Sequence, residues 1–353
     1  MNQEQLLQLC EVAHNAPSAD NSQSWRFIIS SNKITITYDT HRVLNKTFAA
    51  DNIATLLSMG SAIEAIVQTC IEHNISYTLD TTLKLSNNFT SYACFSFDQE
   101  VSEKFTLKKD SFLQHRHTNR FAYKTQQAEK NIIDALIATL NASSTTISWF
   151  DDKTSINEIS SLIQSASEIR FQTPEVHEWL MQSLRFGKRE RHEDGLHVST
   201  LDLPPLGSMF MKFIAPWQRT QTLNKLGMYK IMAAIEAKPI AKAPGLMAFS
   251  CDNTPEAQLQ TGRDLFALWL QLNNAGLAVH PYFVITDQIT RLHSNAVPSR
   301  LVAQATTLEE QTRKIFNLKE GGNLCMLLRV GYPQKQAVRS KRLNVMDVVT
   351  IKD

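Results

Sequence analysis

An α+β fold built as two similar halves is predicted by three observations. Phe27-Ile28-Ile29 and Ile34-Thr35-Ile36-Thr37-Tyr38 are β-branched and aromatic runs that read as a hairpin around Ser31-Asn32-Lys33. A helix over roughly 50–73 is apolar on more than one face (Ile53, Leu56, Leu57, Ile63, Ile66, Val67 and Cys70 among others), which puts it at the centre of the molecule. A second helix, over 256–275, has the same layout. Setting Gly60 on Gly262 also sets Asn74 on Gly276, both at a natural helix stop, and Ile75-Ser76-Tyr77 and Leu277-Ala278-Val279 then both read as strands. Two such halves in one chain would imitate a dimer. The two long helices are expected to pack against each other, between antiparallel-rich sheets covered by helices.

The other elements follow in order. Residues 3–14 form a helix with an apolar stripe through Leu6, Leu7, Cys10, Val12 and Ala13. Strands near 75–80 and 91–97 complete a first half, 1–112. The second half, 113–353, opens at Arg116-His117-Thr118-Asn119-Arg120 and continues as a helix near 126–141, a strand near 145–150 and a helix near 155–170. A Met- and Pro-rich region over about 195–245 reads as less regular, an insertion whose Met209, Phe210, Met211, Phe213 and Trp217 suit a lid and ordinary core equally. A strand near 246–251 precedes the second long helix. The chain closes with the apolar strand Leu324–Val330, then Gly331-Tyr332-Pro333 and a basic tail.

Composition narrows the function. At 353 residues, 43% hydrophobic and 20% charged, the chain is of globular type. A net charge of +2 gives no global field toward nucleic acid or membrane, so neither is expected as a partner. Lys188-Arg189-Glu190-Arg191-His192 is mixed in sign and lacks aromatics, a solvated helix end and not a nucleic-acid patch. The five cysteines are scattered without a Cys-x-x-Cys pair, and Met1–Gln5 has neither a basic nor an apolar leader region, so a cytoplasmic location is expected. No run approaches about 18 consecutive apolar residues. Gly-x-Gly-x-x-Gly, the phosphate-binding Gly-x-x-x-x-Gly-Lys-Ser/Thr, His-Glu-x-x-His and the hydrolase Gly-x-Ser-x-Gly are all absent. His192, Glu193, Asp194 and His197 read as a surface loop around Gly195, with no metal site expected.

Two polar motifs remain. Ala16-Pro17-Ser18-Ala19-Asp20-Asn21-Ser22-Gln23-Ser24-Trp25 is a turn running straight into a strand; Pro17 fixes a torsion, and the short polar side chains hold nearby backbone. Such a turn can present an amide and a hydroxyl at a pocket edge. Arg116-His117-Thr118-Asn119-Arg120 suits a phosphate monoester or, on its residues alone, an exposed basic loop before a helix.

The first run resembles the Ala-Pro-Ser-x-x-Asn-x-Gln-Pro-Trp turn of nitroreductase-like flavoproteins, and the second is similar to their phosphate-gripping Arg-x-Ser/Thr-x-Arg element. Gly331-Tyr332-Pro333 with the following cations resembles the family's C-terminal element, and Gly276-Leu277 its helix exit. Leu184-Arg185-Phe186 and Asp194-Gly195-Leu196 resemble a run of its longer, tandem members. Ser24 stands where proline is usual and His117 where a second arginine is frequent, and the first helix lacks the arginine signature of single-unit nitroreductases. The resemblance implies a nitroreductase-like fold with one FMN site made between the halves of a single chain, and a monomer. Its implied cofactor-binding residues are Pro17, Ser18, Asn21, Gln23, Arg116, Thr118, Arg120, Gly276, Leu277, Arg339, Lys341 and Arg342. No catalytic side chain is required, because flavin N5 would carry the chemistry. The implied function is hydride transfer from NADH or NADPH to FMN and on to a small-molecule acceptor. The alternative is an FMN-sequestering protein with little turnover, favoured if Leu203–Met232 closes over the site.

Overall fold

The computed structural model describes residues 1–43, 48–85, 90–97, 115–140, 144–187 and 193–352. The expected boundary at 112/113 and the run 188–192 lie outside the described residues. Helix α1 (Gln3–His14) begins with a capping box, the Asn2 side chain accepting from the Gln5 N–H and the Gln5 side chain from the Asn2 N–H. Strand β1 (Trp25–Ser30) alternates buried and half-buried residues and turns through Ser31 onto β2 (Lys33–Tyr38). There follow α2 (Thr40–Val43), α3 (Ile53–Glu72), β3 (Tyr77–Asp80), β4 (Lys84–Leu85) and β5 (Thr90–Phe97). The second part holds α4 (Lys130–Ala138), β6 (Thr146–Phe150), α5 (Lys153–Arg170), α6 (Pro174–Ser183), β7 (Leu184–Arg185), β8 (Leu196–His197), α7 (Gly207–Ile214), α8 (Trp217–Asn224) and α9 (Met228–Ala241). It continues with β9 (Gly245–Asp252), α10 (Pro255–Asn274), β10 (Ala278–Tyr282), α11 (Val284–His293), α12 (Val302–Ile315), β11 (Gly322–Gly331), α13 (Val345–Val348) and β12 (Val349–Lys352).

The architecture is α+β with two antiparallel-rich sheets. One runs β12-β1-β2-β5-β3 with β4 against β5; the other runs β10-β11-β9-β6. Two sequence expectations change here. The basic tail does not end the fold: β12 pairs in parallel with β1, Phe27 opposite Val349 and Ile29 opposite Ile351, so the end of the chain belongs to the first sheet. The region 195–245 is mostly helical, because three of its five prolines sit ahead of helices and a fourth, Pro244, lies between α9 and β9. Pro204 and Pro205 precede α7 and Pro216 caps α8; Pro239, inside α9, is the exception.

Helices α3 and α10 pack together between the sheets. Leu259, Phe266 and Leu270 of α10 join the core of α1, α3 and the first sheet, while Leu265, Leu268, Trp269 and Leu272 join that of the second sheet. Helix α3 is long and apolar enough to cross a membrane by length and composition, but it lies buried in this core. The two glycines matched in the sequence meet at the crossing. A Cβ on Gly60 would lie 2.1 Å from the Leu259 carbonyl oxygen, and one on Gly262 would lie 2.5 Å from that of Leu57. Beside them the Ser61 hydroxyl donates to the Gly262 carbonyl at 3.1 Å, and Arg263 pairs with the buried Glu64 at 3.0 Å. Asn74 and Gly276 end their helices with φ of 51° and 78°, the left-handed stop the sequence match requires.

The tail is fastened by His14. Its Nδ1 accepts from the Trp25 indole at 2.9 Å, so Nε2 carries the proton and donates to the Leu343 carbonyl at 2.9 Å. Burial, with Arg342 and Arg42 nearby, brings this imidazole from its ordinary 6.5 down to about 4, against the opposing pull of the Leu343 carbonyl and Asp347.

Two outcomes are expected. Gly60→Ala forces the helices apart and costs about 1–3 kcal/mol, read from urea unfolding midpoints at unchanged slope. For His14 the unfolded chain takes up the proton first, so its contribution is complete above about pH 6.5 and is lost as the pH falls toward about 4. Wild type should lose about 2 kcal/mol more than His14→Gln between about pH 7 and pH 5, measured by urea unfolding at each pH.

Candidate functional site

The turn after α1 is built by its own short side chains. Asp20, Asn21 and Gln23 all take positive φ (49°, 55° and 52°), a conformation that Asn and Asp tolerate better than most residues. The Ser18 hydroxyl accepts from the Gln23 N–H at 3.0 Å, and the Asn21 N–H donates to the Ser18 carbonyl at 3.0 Å. Arg42, paired with the buried Asp39, donates to the carbonyls of Ser22 and Gln23.

Opposite this turn stands the run 116–120, held by α10. The Trp269 indole donates to the His117 carbonyl at 2.9 Å, and the Asn273 side chain accepts from the His117 N–H at 2.8 Å. Asn119 is buried and ties the run to β10 through Val279 and to the tail through Lys335. The C-terminal tail closes the third side. Arg342 donates to the Ala16 and Asn15 carbonyls at 2.9 and 3.3 Å and to Asn21 Oδ1. Asn21 Nδ2 donates to the Lys341 and Gly195 carbonyls, both at 3.0 Å.

These three segments enclose a cavity of about 450 Å³, within the size range of small-molecule sites. Of the residues expected from sequence, Pro17, Ser18, Asn21, Arg116, Thr118, Arg120, Arg339 and Arg342 line it. The other four do not. Gln23 is fully buried behind the turn, its side chain bracing the carbonyls of Asn21 and Glu193 and accepting from the Leu343 N–H. Lys341 is exposed and reaches the site only through its carbonyl. Gly276 is an exposed helix stop, and Leu277 is buried in the core with its N–H on Leu272. Sequence reasoning also missed Val12, Leu196, Trp269, Pro281 and Val338, which give the cavity an apolar wall. Trp269 could have been suspected, as an indole among aliphatic residues of a buried helix needs a partner for its N–H.

The cavity has two electrostatic ends. At one, Arg116 is brought down to about 9 by burial and by the charges of Arg342 and Arg339. Its guanidinium lies 5.0 Å from the Trp269 ring and donates to the Asn15 carbonyl at 3.2 Å, while its buried Nη1 finds no partner among the described residues. Arg342 is likewise brought down to about 10 by burial. The carboxylate at the cavity wall is the exposed Glu11. Guanidiniums that repel one another around a buried, unsatisfied N–H suit a compact anion of more than one charge. At the other end burial lowers Arg120 too, opposed chiefly by Asp20; Arg116, Arg339 and Arg342 are not among the charges acting on it, so it stands apart from that cluster electrostatically. The donor set therefore fits a phosphate monoester, with an apolar wall for a flat group beside it.

None of Leu203–Met232 lines the cavity. Helices α7–α9 pack instead around Phe171, Ile214, Met232 and Ala233, and α9 lies along α5. Asp194 pairs with Arg185 at 2.8 Å and His197 reaches the Gly187 carbonyl and Ser199, so this loop serves to dock Gly195 on the turn.

No protein-family model matches the chain. It is 20% identical over 342 residues to an uncharacterized Mycobacterium tuberculosis protein, covering 95% of this chain and 46% of the relative, so it spans less than half that protein's length. It is 25% identical over 303 residues to a probable NAD(P)H nitroreductase, PigM, of Serratia sp., covering 81% of this chain and 82% of the relative. Among solved structures, the FMN-dependent nitroreductase NfnB of Mycobacterium smegmatis in complex with NADPH aligns at 16% identity and a TM-score of 0.40, over 69% of this chain and 96% of the other. Iodotyrosine deiodinase bound to FMN and 3-iodo-L-tyrosine aligns at 13% identity and a TM-score of 0.38, over 66% and 94%. The chain is thus similar in sequence to a probable nitroreductase along four fifths of both chains, and both polar motifs meet at one cavity.

Proposed function

We propose that this chain is an FMN-dependent oxidoreductase that draws electrons from NADH or NADPH and delivers them to a small-molecule acceptor. The observation that carries this reading is the meeting, at one cavity, of the turn 17–21 with the 116–120 run and the 339–342 tail. The similarity to a probable NAD(P)H nitroreductase supports it. When bound, the flavin would supply the two-electron chemistry, taking up hydride and releasing electrons to the acceptor.

The chain's own contribution is placement. Arg116, Arg339 and Arg342 would hold the phosphate, with the Thr118 hydroxyl beside them. Arg120, balanced by Asp20, would sit away from the phosphate, at a less charged part of the ligand. Pro17 and Ser18 would meet the ring edge, and Val12, Leu196 and Pro281 would exclude water from it. Asn21 serves chiefly as a brace, since its amide already holds Arg342 and the backbone of Lys341 and Gly195. The absence of Leu203–Met232 from the cavity wall supports turnover over sequestration. With the flavin site shared between parts of one chain, a monomer acting in the cytoplasm completes the reading.

The test is an FMN titration of the purified chain, followed by anaerobic NADH or NADPH. Tight binding with prompt bleaching of the flavin bands is expected; a protein that fails to retain FMN overturns the reading, and bound FMN that stays oxidised with either donor converts it to sequestration. Arg116→Ala should weaken FMN about 10–100-fold, the equivalent of one charge-assisted hydrogen bond of about 1.5–3 kcal/mol. Riboflavin, lacking the phosphate, should bind wild type and variant alike.

A further inference from the structure

Helices α7, α8 and α9 take no part in the cavity, and their outward faces are unusual. Their inner residues, Phe210, Met211, Ile214, Leu223, Met232 and Ala233, share one apolar cluster. Outward, Leu206, Met209, Phe213, Leu226, Ile231 and Ile235 are all at least half exposed, from 51% to 83%. On α7 the exposed positions 209 and 213, and on α9 the positions 231 and 235, keep the i,i+4 spacing of a single helical face, and Leu206 stands just before α7. Of the eleven large hydrophobic side chains exposed among the described residues, these six fall within thirty positions of one another.

The charge around them is one-sided. Lys212, Arg219, Lys225, Lys230, Lys238 and Lys242 are all exposed, and none makes an ion pair among the described residues. The acidic residue of 203–242 is Glu236, already paired with Arg170 of α5 at 3.0 Å. Lys238 and Lys242 extend the line of Ile231 and Ile235 along the same face of α9. This segment therefore outweighs the whole chain's formal charge of +2, which is why overall composition pointed to no membrane partner.

We propose that the outer face of α7–α9 docks on an anionic lipid surface, its apolar side chains entering the boundary between headgroups and acyl chains and its lysines meeting the headgroups. Exposed apolar residues rimmed by cations that lack ion-pair partners, on short surface helices, are the pattern that binds such an interface. A second copy of the chain is disfavoured as the occupant, because the same cationic face would meet itself.

The full chain is tested by co-sedimentation with vesicles of phosphatidylserine and phosphatidylcholine, and with phosphatidylcholine alone. Binding to the mixed vesicles only, lost when ionic strength rises from about 0.1 to about 0.5 M, is expected. Lys225→Ala and Lys230→Ala should each lower partitioning about fivefold. Phe213→Ser with Ile235→Ser should lower it further while the thermal melt and FMN titration stay unchanged, which separates this face from the cavity. No binding to the mixed vesicles, equal binding to both vesicle types, or binding indifferent to all four substitutions overturns the proposal. A concentration-dependent dimer that Phe213→Ser abolishes also overturns it, and assigns the face to a second copy.

Discussion

Everything at the cavity depends on how closely α3 and α10 approach at Gly60 and Gly262. With a backbone carbonyl 2.1 Å from where a Cβ would stand, the helices touch main chain to main chain. That contact joins two cores, since α10 gives one face to the first sheet and another to the second. It also fixes the cavity's opposite walls. Helix α3 belongs to the body that carries the turn 16–23, while α10 grips the arginine run through Trp269 and Asn273. A looser crossing would part the two walls before it unfolded either sheet.

The second constraint is the path of the tail. After β11 the chain returns to the first sheet, held there by ties that include Arg342 on Asn21, Leu343 on Gln23, Leu343 on His14, and β12 on β1. The tail thereby delivers a cation into a cluster that already repels it. Carbonyls of Asn15 and Ala16 offset part of that cost, yet Arg116 still keeps an unsatisfied N–H. An anion between these guanidiniums would relieve what the protein alone leaves unbalanced, which is the physical content of calling the place a binding site.

How much of this was legible in the sequence follows the range of the forces involved. Local signals read well: the hairpin, both long helices, the matched glycines and both polar motifs stand where periodicity and turn chemistry put them. Signals that depend on distant partners did not. Val349-Thr350-Ile351 is β-branched, but four residues become a strand only because β1 offers an edge. Gln23 looks like a ligand in sequence, but its amide is used up on backbone that arrives from 193 and 343. Gly276 and Leu277 sit at a helix exit whose geometry is right, but Gly276 is exposed, Leu277 is buried in the core, and neither lines the cavity. In 195–245, proline content was read as irregularity when three of the five prolines stand ahead of helices.

The same glycine match explains why the two halves are not equivalent. If Gly262 corresponds to Gly60, then Trp269 and Asn273, which hold the arginine run, correspond on α3 to Val67 and Ile71. Neither can donate or accept a hydrogen bond. Val67 is buried in the first core, and Ile71 is 61% exposed with no polar atom to offer a neighbouring loop. A cationic run set against that end of α3 would find no indole to stack on and no amide to fix its backbone. The pseudo-symmetry therefore extends to the packing of the long helices and stops at the side chains that build a site. The polar residues that hold the arginine run at α10 thus have no counterpart at the matching end of α3, which favours one site per chain over two.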